Sequence, residues 1–260
     1  MERMLIPACL ALLAVGTACT VKEDRDQCPC YLQVSFTDPD ATGEAQLLGW
    51  DDDQQFRDHV RIEQARPVWT KPVRKGTLVL SACIGMDESY SEGHQMRIPL
   101  GFQSDSLYAW FEEVDATGDL AYAKVSFRKQ FATVFLDIRK PADVVRSYRF
   151  DVEGNSCGFD LLDFSPVPGV FRYSQVARDG EEIITFRVPR QWDTGLSVTI
   201  LPKEGPSARF PLGEYIDRLG YNWKTEELQD IYVAIDLVQA LVDVRVEDWE
   251  EGTVFPLIEP

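Results

Sequence analysis

The chain has 260 residues, of which 45% are hydrophobic and 11% aromatic, and its formal net charge at pH 7 is −17. This hydrophobic content is enough for a packed core and argues against a disordered chain, while the length favours two domains. The negative charge argues against binding to nucleic acid or to anionic lipid headgroups, because phosphates would be repelled.

Residues 1–18 have the pattern of an export signal. Residues 5–18 are almost wholly apolar, too short for a spanning helix of about 20 residues but typical of a signal peptide. Small residues then lead directly to Cys19, as in the signals of bacterial lipoproteins. We therefore expect 1–18 to be removed and Cys19 to be lipidated; the alternative is an ordinary signal in which Cys19 has no role. Cys9 also follows an alanine, but too little apolar sequence precedes it.

Residues 19–30 are mostly polar and charged, and we expect them to form a lipidated tether. Export permits disulfides, and the candidates are Cys28, Cys30 and Cys83. A bridge from Cys28 or Cys30 to Cys83 would close a loop of about 50 residues and stabilise the fold by roughly 3–4 kcal/mol in the chain-entropy model. The state of Cys157 stays open. A C-x-C pair without a second ligand cluster is not a zinc pattern, so we expect no metal and no cofactor.

Alternating apolar and polar residues predict strands through most of the remaining chain. The clearest are 31–36, 56–65, 127–140, 181–189 and two strands within 231–249. The nearly continuous apolar run at 76–85 predicts a strand that is buried on both faces. Turn residues separate these segments at 38–40, 117–119, 153–155, 178–180 and 203–206.

A short helix is predicted at 211–220, where Leu212, Tyr215, Ile216 and Leu219 have helical spacing and Gly220 lies at the expected C-cap. Strands and helices do not alternate, which disfavours a doubly wound α/β sheet.

The strands form two successive β units, and each unit opens with an alternating strand. We place an N-terminal β-sandwich domain at 31–126 and a C-terminal β-sandwich domain at 127–260, with the boundary near Ser126. No Gly/Ser-rich linker lies at this boundary, so we expect the two units to pack closely.

Catalytic patterns are weak. The two histidines, His59 and His94, lie outside known catalytic motifs, and we expect structural roles for both. The run 51–53 could suggest calcium but lacks the glycine and glutamate of a loop pattern, which favours a solvated acidic turn. We therefore predict a protein that is not an enzyme.

Tryptophans offer an alternative reading of the sequence. They could form a platform on which glycans stack, although their scatter along the chain favours packing in cores. The six are Trp50, Trp69, Trp110, Trp192, Trp223 and Trp249.

Several segments together resemble one protein family. They are the lipoprotein cysteine with its charged leash and the following Cys28-Pro29, the mid-chain FRKQFATVFLDI at 127–138, and the RFPLGEYIDRLGYNW, LQDIYVAIDLV and VRVEDW segments within 209–249. This order resembles the FimB-like fimbrial anchor lipoproteins, which are the type V pilus anchor subunits of Bacteroidetes-type bacteria.

The resemblance implies an all-β fold of two tandem transthyretin-like Greek-key β-sandwich domains. It also implies a lipid-anchored outer-membrane protein that attaches the base of a fimbria by binding fimbrillin subunits and limits filament length. A subunit could dock by adding a strand to an open sheet edge. The alternative is a surface glycan-binding lipoprotein of a carbohydrate-uptake system.

Overall fold

The computed structural model describes residues 28–37, 43–52, 54–62, 68–87, 91–139, 148–177, 183–203, 206–236, 241–246 and 253–256. The predicted signal peptide, Cys19 and residues 20–27 of the tether lie outside these ranges. Trp249 and the turn residues 38–40 and 178–180 also lie outside them.

The described part of the first half folds into ten strands, several of which follow the period-2 pattern and bury one face. The strands are Cys30–Phe36 (β1), Gly43–Trp50 (β2), Gln54–Ile62 (β3), Val68–Val73 (β4), Thr77–Ile84 (β5), Ser91–Glu92 (β6), Gln95–Arg97 (β7), Tyr108–Asp115 (β8), Leu120–Val125 (β9) and Arg128–Lys129 (β10). Sheet 1 has the order β4-β1-β9, and sheet 2 the order β10-β8-β5-β2-β3.

The second half continues in strands and has a single short helix among the described residues. Its elements are Phe131–Arg139 (β11), Tyr148–Asp160 (β12), Pro166–Ala177 (β13), Ile183–Pro189 (β14), Ser197–Pro202 (β15), Ala208–Phe210 (β16), Leu212–Arg218 (α1), Ile231–Asp236 (β17), Leu241–Val246 (β18) and Thr253–Pro256 (β19). Sheet 3 has the order β14-β11-β17-β18-β19. Sheet 4 has the order β16-β15-β12-β7-β6, and β13 pairs with β12. The all-β class predicted from the sequence is confirmed.

Both halves open with the same kind of strand. β1 pairs antiparallel with β4 and parallel with β9, and β11 pairs antiparallel with β14 and parallel with β17. The side chains that alternation predicted to face inward are buried, including Leu32 and Val34 on β1 and Val134 and Leu136 on β11. Each opening strand therefore lies between two strands of its sheet, one nearer to it along the chain and one farther from it.

Sheet 2 is covered on both faces. Leu47 and Leu80 belong to a cluster of buried side chains between sheets 1 and 2, which we call the first core. Leu48 and Cys83 point the other way, into a second core that also contains the inner faces of sheets 3 and 4. The apolar run at 76–85 forms β5, at the centre of sheet 2, so the prediction of a strand buried on both faces is confirmed.

The halves also exchange strands. The β6–β7 hairpin precedes the predicted boundary at Ser126, yet β7 pairs with β12 of sheet 4. Conversely, β10 follows that boundary and pairs with β8 of sheet 2. The Ser81 hydroxyl on β5 donates a hydrogen bond to the Leu161 carbonyl. The two halves therefore pack closely, as the missing linker sequence predicted.

The predicted helix forms as α1 and ends as expected. Gly220 has a φ of +80°, its N–H donates to the Asp217 carbonyl, and the Tyr221 N–H donates to the Ile216 carbonyl. This pair of hydrogen bonds is the Schellman motif, in which glycine takes the left-handed position without steric cost.

The turn predicted at 153–155 is wrong. These residues lie inside β12, where the register with β13 shifts between Gly154 and Ser156. A glycine within a strand often marks such a bulge or a close approach. At Gly154 an added Cβ would lie 2.6 Å from Gln191 Oε1, so the glycine admits a neighbouring side chain.

Candidate functional site

The described cysteines lie in separate environments. Cys28 is exposed, whereas Cys30, Cys83 and Cys157 are buried. Cys30 packs in the first core and Cys83 in the second, so their side chains occupy opposite faces of sheet 2. No disulfide joins any two of these four residues. Burial raises the pKa of the Cys30 thiol above its ordinary value. The predicted bridge to Cys83 stays a prediction.

The polar residues that the sequence singled out take part in local polar contacts. His94 Nδ1 lies 2.9 Å from the Asp160 carboxylate, and His59 lies 3.7 Å from Glu44. Asp51 accepts from Arg74 at 2.7 Å. Across the described ranges, no group of three or more His, Cys, Asp and Glu residues could hold a metal ion.

Three of the tryptophans line one cleft. Trp110, Trp192 and Trp223 border a space of about 920 Å³ where the two halves meet. Trp50, by contrast, is buried in the second core, and Trp69 packs against Phe56 with ring centroids 5.5 Å apart. Trp110, Trp192 and Trp223 are therefore distant in the sequence but close together in the folded protein.

The walls of the cleft come from both halves. β8 supplies Trp110 and Phe111, the loop after β12 supplies Phe164, and the segment after β14 supplies Trp192. The Phe111 and Phe164 rings lie 6.0 Å apart. Trp110 is partly buried against the first core. The most exposed aromatic residues of the cleft are Trp192, at 59%, and Phe111, at 46%.

The segment that carries Trp192 is fixed on both sides. Gln191, which is fully buried, accepts hydrogen bonds through Oε1 from the N–H groups of Asn155 and Ser156. Asp193 accepts from the Asn155 side-chain amide at 2.7 Å. The exposed indole therefore stands on a backbone that two hydrogen-bonded neighbours hold against β12.

Arg190 fixes the opposite loop of the cleft. It is 8% exposed, and Nη1 donates to the carbonyls of Trp223 and Thr225. Nη2 donates to Gln130 Oε1 at 2.8 Å. Desolvation on burial lowers the pKa of the Arg190 guanidinium. A charged side chain thus binds neutral acceptors and holds the 223–226 loop to β14.

A second surface lies on the outer face of sheet 1. Tyr31 and Leu120 are register partners on β1 and β9 and are both exposed, as are Tyr122 on β9 and Val68 on β4. We call these four residues the sheet 1 patch. Tyr122 and Val68 are in register with Gln33 and Ser35 of β1, so two polar residues lie between the apolar ones. Exposed apolar side chains grouped on one face can mark an interaction site.

Several strands have only one described neighbour. β3 pairs only with β2 in sheet 2, and β4 and β9 flank β1 in sheet 1. β13 pairs with β12, although the Gly101 N–H donates to the Arg172 carbonyl on its outer side. Open edges of this kind can accept another strand. In the described ranges, no helix has the length and apolarity required to cross a bilayer.

Comparison with solved structures gives matches over nearly the whole chain. The fimbrial anchor protein Mfa2 from Porphyromonas gingivalis matches with a TM-score of 0.60 at 12% identity, covering 89% of this chain and 100% of Mfa2. The chain shares the fold of Mfa2. The resemblance seen in the sequence is confirmed at the level of the fold.

Two proteins of Bacteroides thetaiotaomicron have the same fold. A candidate polysaccharide-binding protein matches with a TM-score of 0.61 at 12% identity, covering 88% of this chain and 99% of its own. A candidate adhesin matches with a TM-score of 0.57 at 12% identity, covering 89% and 99%. No protein-family model matches the sequence. No curated protein matches it either.

Sequence reasoning missed the cleft because its walls are distant in the chain. Trp192 and Phe111 come from different halves, and only the packing of sheet 2 against the second core brings them together. One local signal was present: Trp192 is followed directly by Asp193, Thr194 and Gly195, residues typical of an exposed turn.

Proposed function

We propose that this chain is a lipid-anchored outer-membrane protein that attaches the base of a fimbria to the cell surface and limits filament length. The observation that carries the proposal is a fold shared with Mfa2 over all of that fimbrial anchor protein. The signal sequence with Cys19 supports a lipid anchor, and residues 20–27 would serve as its leash. The role is structural rather than enzymatic.

Each half is, in this proposal, a transthyretin-like Greek-key sandwich. The repeated pairing of the opening strands β1 and β11 supports two related units in tandem. The domain limits stay as proposed from the sequence, at 31–126 and 127–260.

The partner in this proposal is a fimbrillin-type subunit, and we assign its contact to the sheet 1 patch together with the open edges that flank it. Burial of Tyr31, Leu120, Tyr122 and Val68 would remove apolar surface from water. Addition of a strand at β4 or β9 would satisfy backbone groups that have no described strand partner.

The anchor is tested by replacing Cys19. In its own cells, Cys19→Ala should remain unprocessed or appear in the medium, and filaments should be shed, because no acyl chain then holds the protein. Cys9→Ala is the matched control and should stay in the outer membrane. A processed Cys19→Ala protein that stays with the membrane would refute the lipid anchor.

The partner surface is tested with two equally exposed valines. Val68, in the sheet 1 patch, is 59% exposed, and Val176, on β13, is 58% exposed. Val68→Glu should reduce the amount of fimbrillin subunit that copurifies with the anchor, since it places a charge in an apolar contact. Val176→Glu should have no effect. Equal recovery with both variants would refute this surface, and recovery of no fimbrial subunit by the unaltered protein would refute the function.

A further inference from the structure

We propose that the cleft between the two halves binds a neutral oligosaccharide, with Trp192 and Phe111 as its stacking surfaces. This site is separate from the sheet 1 patch and goes beyond the anchoring function. A cleft of about 920 Å³ lies within the roughly 300–1,000 Å³ of small-ligand sites, which commonly form at domain interfaces.

The aromatic residues point to a ligand with flat apolar faces. Trp192 and Phe111 line a concave site, and each residue is more than two fifths exposed. Large aromatic rings more commonly pack in a core. The C–H face of a pyranose ring packs on such a surface. Two exposed rings in one cleft can hold more than one sugar unit.

The exposure of Trp192 is built into the fold. Gln191 and Asp193, on either side, are hydrogen-bonded to β12 at Asn155 and Ser156. A side chain on a fixed backbone loses little conformational entropy when a ligand binds. Trp192 is therefore preorganised for binding rather than carried on a loop that must first become ordered.

The polar groups around the rings suit hydroxyls. Arg128, Asn222 and Lys224 offer donors, while Asp163, Asp217 and Glu226 offer acceptors. Hydroxyl groups donate and accept at once, so they can use both kinds of partner. A purely apolar ligand would displace water from these polar groups without replacing its hydrogen bonds.

The charges favour a neutral saccharide over an acidic one. The Arg190 guanidinium already donates to four protein acceptors, and Arg128 lies 3.6 Å from Glu226. The cleft lining carries four carboxylates against three cations, and the net charge of the chain is −17, so uronic acids or sulfated sugars would be repelled. The same carboxylates would accept hydrogen bonds from uncharged hydroxyls.

The test uses the full processed protein, purified from its own cells in detergent. Binding to a panel of neutral gluco-, manno-, galacto- and xylo-oligosaccharides is measured by isothermal calorimetry, with quenching of tryptophan fluorescence as a second readout. At least one saccharide should bind and protect Trp192 from acrylamide. Trp192→Ala should weaken that binding about tenfold or more, as expected when an aromatic anchor is truncated, and Trp192→Phe should recover part of it.

Phe102→Ala is the matched control, since Phe102 is an exposed aromatic residue that lies outside both the cleft and the sheet 1 patch. It should leave saccharide binding unchanged, and all variants should keep the melting temperature of the parent protein. Absence of binding to the whole panel, or equal affinity of Trp192→Ala and parent, would overturn the proposal. Competition by an extended peptide but by no saccharide would overturn it in favour of a protein ligand. None of these results bears on whether Cys19 anchors the protein.

Discussion

Removal of the Arg190 guanidinium should destabilise the second half of the protein. Arg190→Met keeps an unbranched apolar chain but deletes the donors that reach Trp223, Thr225 and Gln130. The Gln130 side chain is itself buried, so its Oε1 would lose a partner without gaining water. The loop carbonyls are only partly buried and can be rehydrated.

The magnitude follows from these contacts. One buried acceptor left unsatisfied costs about 1–3 kcal/mol, and hydrogen bonds from a charged donor add about 1.5–3 kcal/mol each. Loss of the desolvation penalty on the charge, which is the cause of the lowered pKa of Arg190, offsets part of this. We expect a net loss of about 2–4 kcal/mol in the free energy of unfolding, once such terms are combined.

Urea unfolding, followed by circular dichroism and tryptophan fluorescence, measures this loss. Arg172→Met is the control, because Arg172 forms an exposed ion pair with Glu153 that should contribute at most about 1 kcal/mol. In a double-mutant cycle, Arg190→Met and Gln130→Met should cost less together than the sum of the two, since each removes the partner of the other. Equal stabilities of Arg190→Met and Arg172→Met would refute the reasoning.

Three further results are expected. Phe150→Ala should lower the free energy of unfolding by about 3–5 kcal/mol, because Phe150 is fully buried in the second core and its removal leaves a cavity. A loss below about 1 kcal/mol would contradict this packing. Gly220→Ala should lower the free energy of unfolding by about 1 kcal/mol in thermal melts, because φ is +80° at this position. Gly118→Ala is the control and should be neutral, because an added Cβ would make only ordinary contacts there. Equal losses for the two variants would contradict the Schellman motif at the end of α1. Thiol titration without reductant tests the predicted bridge to Cys83. A free Cys28 should react in the folded protein because it is exposed, whereas a free Cys30 should react only after unfolding, because burial excludes the reagent and raises the pKa of the thiol. A Cys30 that stays unreactive after unfolding would establish a disulfide.

The local spacing of apolar residues was sufficient to predict the strands and the helix that bury only one face. β1, β11 and α1 each bury the side chains that the period-2 or helical pattern selects, because each needs only one covering layer. β5 was predictable for a related reason: a strand without alternation requires cover on both sides.

The same reasoning failed where the structure depends on distant residues. Gly154 suggested a turn, but glycine also permits a bulge, and only the approach of Gln191 distinguishes the two. The hairpin of β6 and β7 is too short to show a period and pairs with β12, far along the chain. The cleft around Trp192 depends on this long-range packing and could not be read from spacing.

The exchange of the β6–β7 hairpin determines how the folded chain would bear tension. Gln95, Met96 and Arg97 are in register with Asp160, Phe159 and Gly158 of the other half, and Met96 is buried in the second core. A force that pulls the two halves apart has no linker to stretch and must break sheet 4 and expose that core in the same step. The two described halves therefore resist extension together, as one mechanical body.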